Sequence, residues 1–160
     1  MLTILSGGQT GVDRAALDVA IELGIRYGGW CPKGGWAEDR PGPPGVLALY
    51  AGLRETPDTD PRQRTEWNAR DCGRLMVLVG RCGLPVSKGT MFALECAKAL
   101  ATPHIVIDIG ASDAEDLATD FLIKGQGPLA LCIAGPRESE APGIYATAKA
   151  FLSHLLASRI

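Results

Sequence analysis

The stretch that decides the fold class lies near the start of the chain and reads Leu2-Thr3-Ile4-Leu5-Ser6-Gly7-Gly8-Gln9-Thr10-Gly11-Val12-Asp13-Arg14. Its short apolar run suits a buried strand, and the run stops at two glycines before a helical pattern begins. From Gly11 onward, small and aliphatic residues recur at helical spacing, which predicts a helix that packs through one apolar stripe, with Thr10 as its N-cap. The order of strand, glycine loop and helix is typical of an α/β fold.

The same stretch favours an anion site. A helix N-terminus offers N–H groups without partners in the helix, and Gly7, Gly8 and Gly11 let a ligand approach the backbone closely. The spacing Gly-Gly-x-x-Gly matches neither the dinucleotide fingerprint nor a Walker loop, so a turn that only packs well is the alternative. Asp13 would repel an anion at this helix end. We therefore expect its carboxylate to have a partner, such as Arg14, a hydroxyl group or a metal.

A second unit of the same design follows later in the chain. The apolar run at 75–79 predicts a strand buried on both faces, and it leads through Ser87-Lys88-Gly89-Thr90 into another amphipathic helix. In a doubly wound sheet, ligands bind at the carboxyl ends of the strands. The sequence thus predicts that the two loops meet at one anion site, where Thr90 acts as a donor, as a helix cap or as both.

Alternating strands and helices predict a three-layer α/β domain, Rossmann-like, with a mostly parallel sheet between helices. The strands that begin near Leu2, Leu75, His104 and Leu129 are expected at or near the centre, and the one that begins at Arg26 at the periphery. Residues 53–56 predict a short edge strand. Asp60 and Pro61 have the chemistry of a helix cap and a first helical residue. In the helix that follows, Arg64 and Asn68 are spaced to share one face.

Composition narrows the class of protein. The chain has 160 residues, of which 46% are hydrophobic and 21% charged, so we expect one globular domain over residues 1–160. Its 16 basic and 18 acidic residues give a net charge of −2, which argues against a broad nucleic-acid surface. No apolar run approaches the roughly 20 residues that span a bilayer, so no membrane partner is expected.

The cysteines indicate a reducing compartment, which is the cytoplasm. Their odd number and wide spacing do not fit a disulfide framework, and no pair has metal-ligand spacing. Because the chain also has only two histidines, we expect no metal site; a soft metal at Cys31 is the exception left open. The five cysteines are Cys31, Cys72, Cys82, Cys96 and Cys132.

The long loop after the second strand holds Lys33 between Trp30 and Trp36. A cation and two indoles among glycines could hold a flat, anionic ligand through charge and stacking. Two tryptophans could equally cover the edge of a core.

Four motifs carry a resemblance to a known family: Ser6-Gly7-Gly8-Gln9-Thr10-Gly11-Val12-Asp13-Arg14-Ala15, Gly29-Trp30-Cys31-Pro32-Lys33-Gly34, Arg64-Thr65-Glu66-Trp67-Asn68 and Gly135-Pro136-Arg137-Glu138-Ser139. With them the chain resembles the molybdenum cofactor carrier family, which is similar to the lysine-decarboxylase-like phosphoribohydrolases. The resemblance implies a Rossmann-like parallel sheet, a homo-oligomer (dimer or tetramer) and a pocket for molybdenum cofactor, molybdate or another phosphate-containing ligand. The Pro-Gly-Gly-x-Gly-Thr-x-x-Glu run of the phosphoribohydrolases is absent, which disfavours hydrolase activity.

Two functions follow, and binding is favoured over catalysis. A binding protein or carrier would hold a small anionic ligand with N–H groups, hydroxyl groups and nearby cations, and it needs no nucleophile. A nucleoside-monophosphate phosphoribohydrolase would need a carboxylate at the reaction centre, for which Glu95 and Glu66 are the candidates. The residues expected to bind the ligand are Gly7, Gly8, Gln9, Thr10, Gly11, Asp13, Arg14, Lys33, Ser87, Gly89, Thr90 and Arg137.

Overall fold

The computed structural model describes residues 1–124 and 129–157. In this part of the chain six strands form one sheet and five α-helices cover it. The strands are β1 (Leu2–Leu5), β2 (Arg26–Cys31), β3 (Leu53–Glu55), β4 (Arg74–Val79), β5 (His104–Asp108) and β6 (Leu129–Ala134). The helices are α1 (Val12–Glu22), α2 (Pro61–Asp71), α3 (Lys88–Ala99), α4 (Ala114–Ile123) and α5 (Ile144–Ala157).

The strand order is β3-β2-β1-β6-β4-β5, and each neighbouring pair in it is parallel. The prediction of a three-layer α/β fold with a mostly parallel sheet is therefore confirmed. Helices α1, α4 and α5 share one apolar core with one face of the sheet. Residues of α3, together with Cys72 at the end of α2, pack on the other face.

Most strand positions agree with the sequence, but that of β5 does not. β1, β6 and β4 are interior strands, as expected, and β3 is the predicted edge strand. The prediction that the strand at His104 lies at or near the centre is wrong, because β5 is the other edge of the sheet. Its alternate residues Ile105 and Ile107 pack into the core, whereas His104, Val106 and Asp108 are exposed. β2 lies one strand in from the edge, between β1 and β3.

The topology places a crevice at the carboxyl ends of β1, β6 and β4. After β1 the chain crosses to the face of the sheet that carries α1, and after β4 it crosses to the face that carries α3. The connection after β1 and the connection after β4 thus leave the sheet on opposite faces, with β6 between them. Such a switch point is where ligands bind in open α/β sheets.

The N-cap of α1 is Gly11 and not Thr10. The Thr10 hydroxyl donates to the Glu38 carboxylate and accepts the Glu138 N–H, 3.1 Å away, so it joins two loops and does not cap the helix. Gly11 has φ 79°, and a Cβ built there would lie 2.2 Å from the Pro136 carbonyl oxygen. Glycine is required because the backbone of the loop after β6 passes against it.

This close approach makes a prediction about stability. Gly24 also has a positive φ of 67°, but no atom lies within 4 Å of the Cβ position there. Gly24→Ala should lower the free energy of unfolding by about 1 kcal/mol, from backbone strain alone. Gly11→Ala adds a collision with backbone atoms and should lower it by about 3 kcal/mol or more. Urea denaturation measures both, and equal losses would show that the packing against Pro136 is unimportant.

Candidate functional site

A cavity of about 240 Å³ lies at the predicted crevice. Its floor is formed by the ends of β1 and β6, and its walls by α2 and the start of α3. Among the described residues, those that line it are Gly7, Gln9, Asp13, Trp36, Pro61, Arg62, Arg64, Thr65, Asn68, Ala69, Leu75, Ser87, Lys88, Gly89, Thr90, Phe92, Ala93, Cys132, Ile133, Ala134, Gly135, Arg137 and Glu140. The lining therefore includes residues from both predicted loops.

A buried ion pair joins α1 to α2 at the floor. Arg64 Nη1 donates to Asp13 Oδ2 at 3.1 Å, and both side chains are largely buried. Asp13 thus has the partner that its position required, although that partner is Arg64 and not Arg14. Gly7 makes room for the guanidinium group, since a Cβ at this position would lie 1.7 Å from Arg64 Nη1.

Asn68 fixes α2 in the position that the ion pair needs. Its side-chain amide accepts the Trp30 N–H and donates to the Trp30 carbonyl oxygen, each at 2.9 Å. The side chain therefore holds α2 against the end of β2. Arg64 precedes Asn68 by one helical turn on the same face, as the spacing predicted, and so reaches the sheet above Gly7.

The two partners of the ion pair are not equally satisfied. Burial raises the pKa of Asp13 above its ordinary value, and the charge of Arg64 opposes that shift, as do the backbone N–H groups of Gln9 and Gly7. Arg64 keeps a free donor: its Nε is buried and has no hydrogen-bond partner among the described residues. An unpaired buried donor lowers stability by about 1–3 kcal/mol, so a hydrogen-bond acceptor at this atom would be favourable.

The start of α3 forms a second wall. Ser87, not Thr90, is the N-cap of this helix: its hydroxyl accepts the Thr90 N–H at 3.2 Å and the Thr90 hydroxyl at 2.8 Å. Lys88 and Gly89 are exposed residues of the first turn and line the cavity. N–H groups in a first turn have no partner within the helix. No atom lies within 4 Å of the Cβ position of Gly89, so its backbone is open to a ligand.

Charged and aromatic side chains surround the cavity mouth. Arg137 lies 3.5 Å from Glu140 and 3.8 Å from Glu38. The Arg62 guanidinium stacks 4.1 Å above the Phe92 ring. Trp36 lines the cavity, whereas Trp30 packs edge to face on Trp67 at 4.7 Å. Trp36 thus lies at the cavity, whereas Trp30 is a residue of β2 whose ring covers Trp67.

The structure divides the predicted ligand-binding residues into two groups. Those that line the cavity are Gly7, Gln9, Asp13, Ser87, Gly89, Thr90 and Arg137. Those outside its lining are Gly8, Thr10, Gly11, Arg14 and Lys33.

Arg14, Gly8 and Lys33, which belong to the second group, have other contacts. Arg14 folds over the Gly8 carbonyl oxygen and forms two hydrogen bonds with Asp39, at 2.9 and 3.0 Å. Gly8 faces Leu53, whose Cδ1 lies 2.9 Å from the Cβ position of this glycine. Lys33 is exposed in a short 3₁₀ turn beyond β2.

The two candidate catalytic carboxylates lie elsewhere. Glu66 and Glu95 line a separate groove between α2 and α3, together with Arg70 and Leu100. The helical spacing that brings Arg64 and Asn68 toward the sheet turns Glu66 away from it. Within the described residues, the carboxylates that line the cavity are Asp13 and Glu140.

The sequence did not lead us to include Arg64, Arg62 or Glu140 among the binding residues. The available signal for Arg64 was its pairing with Asn68, together with an unpartnered Asp13. No sequence signal connected Arg64 with Asp13, because the packing of α2 on β2 brings these two residues together.

The cysteine at which a soft metal was considered is poorly suited to that role. Cys31 is buried, and burial raises the pKa of its thiol to about 11, so the thiolate that binds metals is disfavoured. Across residues 1–124 and 129–157, no group of three or more His, Cys, Asp or Glu side chains is placed to hold a metal ion. In the same ranges, no helix has the length and apolar character needed to cross a bilayer.

Residues 4–156 match the circularly permutated YpsA SLOG family, cpYpsA. The chain belongs to this family. A solved structure similar to it is that of the "putative molybdenum carrier protein" from Syntrophus aciditrophicus SB. The two sequences are 36% identical, the match covers 97% of this chain and 94% of that one, and the TM-score is 0.82. None of the curated proteins is a match.

The cpYpsA family match spans the whole cavity lining. The match extends from β1 to α5, so it includes every element that contributes to the lining. The family and the structural neighbour together support a ligand-binding role for the chain.

The cavity carboxylate and an exterior carboxylate should respond oppositely to pH. Because the pKa of Asp13 is raised above 3.8 in the folded state, its contribution to stability is full below that pH and is lost as pH rises through the folded pKa. The hydrogen bonds from Arg14 lower the pKa of Asp39, so its contribution is present above 3.8 and is lost as pH falls through the lower folded pKa.

The comparison uses Asp13→Asn and Asp39→Asn, with unfolding free energies measured by urea denaturation across acidic and neutral pH. The advantage of the unmodified protein over Asp13→Asn should shrink as pH rises. Its advantage over Asp39→Asn should shrink as pH falls. An advantage over Asp13→Asn that grows with pH would show that pairing with Arg64 outweighs burial.

Proposed function

We propose that this protein binds a small ligand bearing an oxyanion in the cavity between Arg64 and the first turn of α3, and that it acts as a carrier. The observation that carries the proposal is the Arg64 side chain, which lines the cavity, donates from Nη1 to Asp13 and, in the described part of the chain, has no acceptor for Nε. A phosphate or molybdate oxygen is the kind of acceptor that a guanidinium group binds best.

The charges around the cavity support an anionic ligand. Among the described lining residues, the basic ones are Arg62, Arg64, Lys88 and Arg137, against Asp13 and Glu140. This excess of positive charge occurs in a chain whose net charge is −2. A local positive cleft attracts small anions by raising their concentration at its mouth.

The start of α3 supplies the second half of the proposed site. Lys88 and Gly89 present first-turn N–H groups and the positive end of a helix dipole, together with the Lys88 ammonium group. An anion held between this turn and Arg64 would thus receive donors from two elements.

The neighbour's description as a molybdenum carrier favours molybdate or the phosphate of molybdenum cofactor over other anions. The cavity volume of about 240 Å³ lies just below the range of about 300–1,000 Å³ usual for small-molecule pockets. It would therefore enclose a small anion or the anionic end of a larger ligand. Trp36 and Phe92 offer apolar surface for a flat ring that extends beyond the anion.

Binding is favoured over hydrolysis, because the two carboxylates first considered for catalysis line a different groove. We place the function in the cytoplasm: the described cysteines are all free thiols, which fits a reducing compartment. The low net charge gives no reason to expect a nucleic-acid partner.

Calorimetric titration with molybdate, inorganic phosphate and adenosine monophosphate tests the proposal. Arg64→Gln should raise the dissociation constant about tenfold to a hundredfold, since hydrogen bonds to charged groups contribute about 1.5–3 kcal/mol. Arg70→Gln is the matched control on the same helix, because Arg70 is exposed and pairs with Asp71 outside the cavity.

The double variant Asp13→Asn/Arg64→Gln removes the cation without leaving Asp13 as an unpaired buried charge. It should be folded and should bind as weakly as Arg64→Gln. If no anion binds, the proposed function is wrong, and if Arg70→Gln weakens binding as much as Arg64→Gln does, the site is elsewhere. Chromatography of the adenosine monophosphate mixture should show intact nucleotide, and released adenine would favour a phosphoribohydrolase.

A further inference from the structure

The outer edge of β5 is an unpaired sheet edge. In the described part of the chain, no strand lies beyond it. Val106, at the middle of this five-residue strand, has 40% of its surface exposed, and its neighbours on the same face, His104 and Asp108, are exposed as well. An open edge with an exposed aliphatic residue at its centre is a ready template for another strand.

The backbone groups that face outward can be identified from the pairing with β4. The Pro103 carbonyl oxygen accepts the Leu75 N–H, and the Ile109 N–H donates to the Val79 carbonyl oxygen, each at 2.9 Å. Because successive residues of a strand turn to opposite sides, Ile105 and Ile107 also bond toward β4. The N–H and C=O groups of His104, Val106 and Asp108 therefore point away from the sheet.

The sequence of β5 is complementary to itself when reversed. It reads His104-Ile105-Val106-Ile107-Asp108, with a basic residue at one end, an acidic residue at the other and aliphatic residues between. If two such strands lie antiparallel with Val106 opposite Val106, then His104 lies opposite Asp108 at both ends. In this register, the outward-facing residues of each strand are hydrogen-bonded pairs, and the His104 imidazole of each copy faces the Asp108 carboxylate of the other.

We propose that the outer edge of β5 pairs antiparallel with β5 of a second copy of this chain, about a two-fold axis at Val106. The two sheets then form one continuous sheet, in which the β5 edge of each copy is paired. This interface is independent of the anion site, because β5 contributes no residue to the cavity lining.

The helices beside β5 add to the surface that such pairing would cover. α4 shares the core on one face of β5, and its Leu117 is 42% exposed; Leu100, which ends α3 on the other side, is 48% exposed. Pairing of two edges brings the flanking helices of the two copies together. A stable interface generally buries about 1,200 Å² or more, which a strand edge alone does not supply.

Pairing of β5 with β5 of a second copy is favoured over pairing of β5 with β3 of the next copy. Pairing β5 of one copy with β3 of the next would leave a free edge at each end and generate fibres. The strand β3 also has three residues against five in β5, so it would leave part of that edge unpaired. Pairing of β5 with itself uses one edge from each copy and closes the assembly.

Sedimentation equilibrium tests the proposal, with three variants at the edge. Val106→Pro removes an outward N–H but no bond to β4, and it should raise the dimer dissociation constant about tenfold or more. His104→Glu puts carboxylates opposite each other and should have a similar effect. His104→Glu/Asp108→Lys places opposite charges face to face and should recover most of the affinity. Arg26→Glu, an equally exposed change at the far side of the sheet, should leave dimerisation unchanged.

Circular dichroism verifies that each variant is folded, and if Val106→Pro is not, the charge variants decide the question. A protein that stays monomeric at all concentrations would overturn the proposal. So would a dimer that His104→Glu leaves intact, or a double variant that dimerises no better than His104→Glu.

Discussion

The candidate site depends on the buried ion pair between Asp13 and Arg64. It joins the first turn of α1 to the middle of α2, across the end of β1, at 3.1 Å. Without Arg64, the Asp13 carboxylate would be a buried charge at the floor of the cavity, and without Asp13 the guanidinium group would lose its anchor. Breaking one side of such a pair usually costs about 3–5 kcal/mol. The glycine at position 7 and the Asn68 amide both serve this contact, the first by leaving space and the second by fixing α2 on β2.

The two helix N-termini at the crevice are therefore not equivalent. At α1 the negative charge favoured by the helix dipole belongs to the protein itself, since Asp13 lies in the first turn. At α3 no acidic residue lies in the first turn, and Lys88 adds a positive charge. An external anion is thus expected on the α3 side of the cavity, which Arg64 also lines.

The α/β fold could be predicted from the sequence because continuous apolar strands and amphipathic helices depend on local patterning. Gly7, Gln9, Ser87 and Thr90 could be placed together because parallel strands bring their following loops to one edge of the sheet. The role of Arg64 could not, since it depends on how α2 docks through Asn68. The exposed edge of β5 also escaped prediction: the run His104–Asp108 has three consecutive aliphatic residues, a pattern typical of a strand buried on both faces, and it does not show which strands lie beside it.

The most direct test of this account is a crystal structure of the protein soaked with molybdate, in which anomalous scattering locates the metal. The account predicts a molybdenum peak between the Arg64 guanidinium group and the backbone of Lys88 and Gly89, with the Asp13–Arg64 pair intact, and no such peak in Asp13→Asn/Arg64→Gln. A peak at the glycine loop beside Gly8 and Arg14, or one that persists unchanged without Arg64, would contradict it.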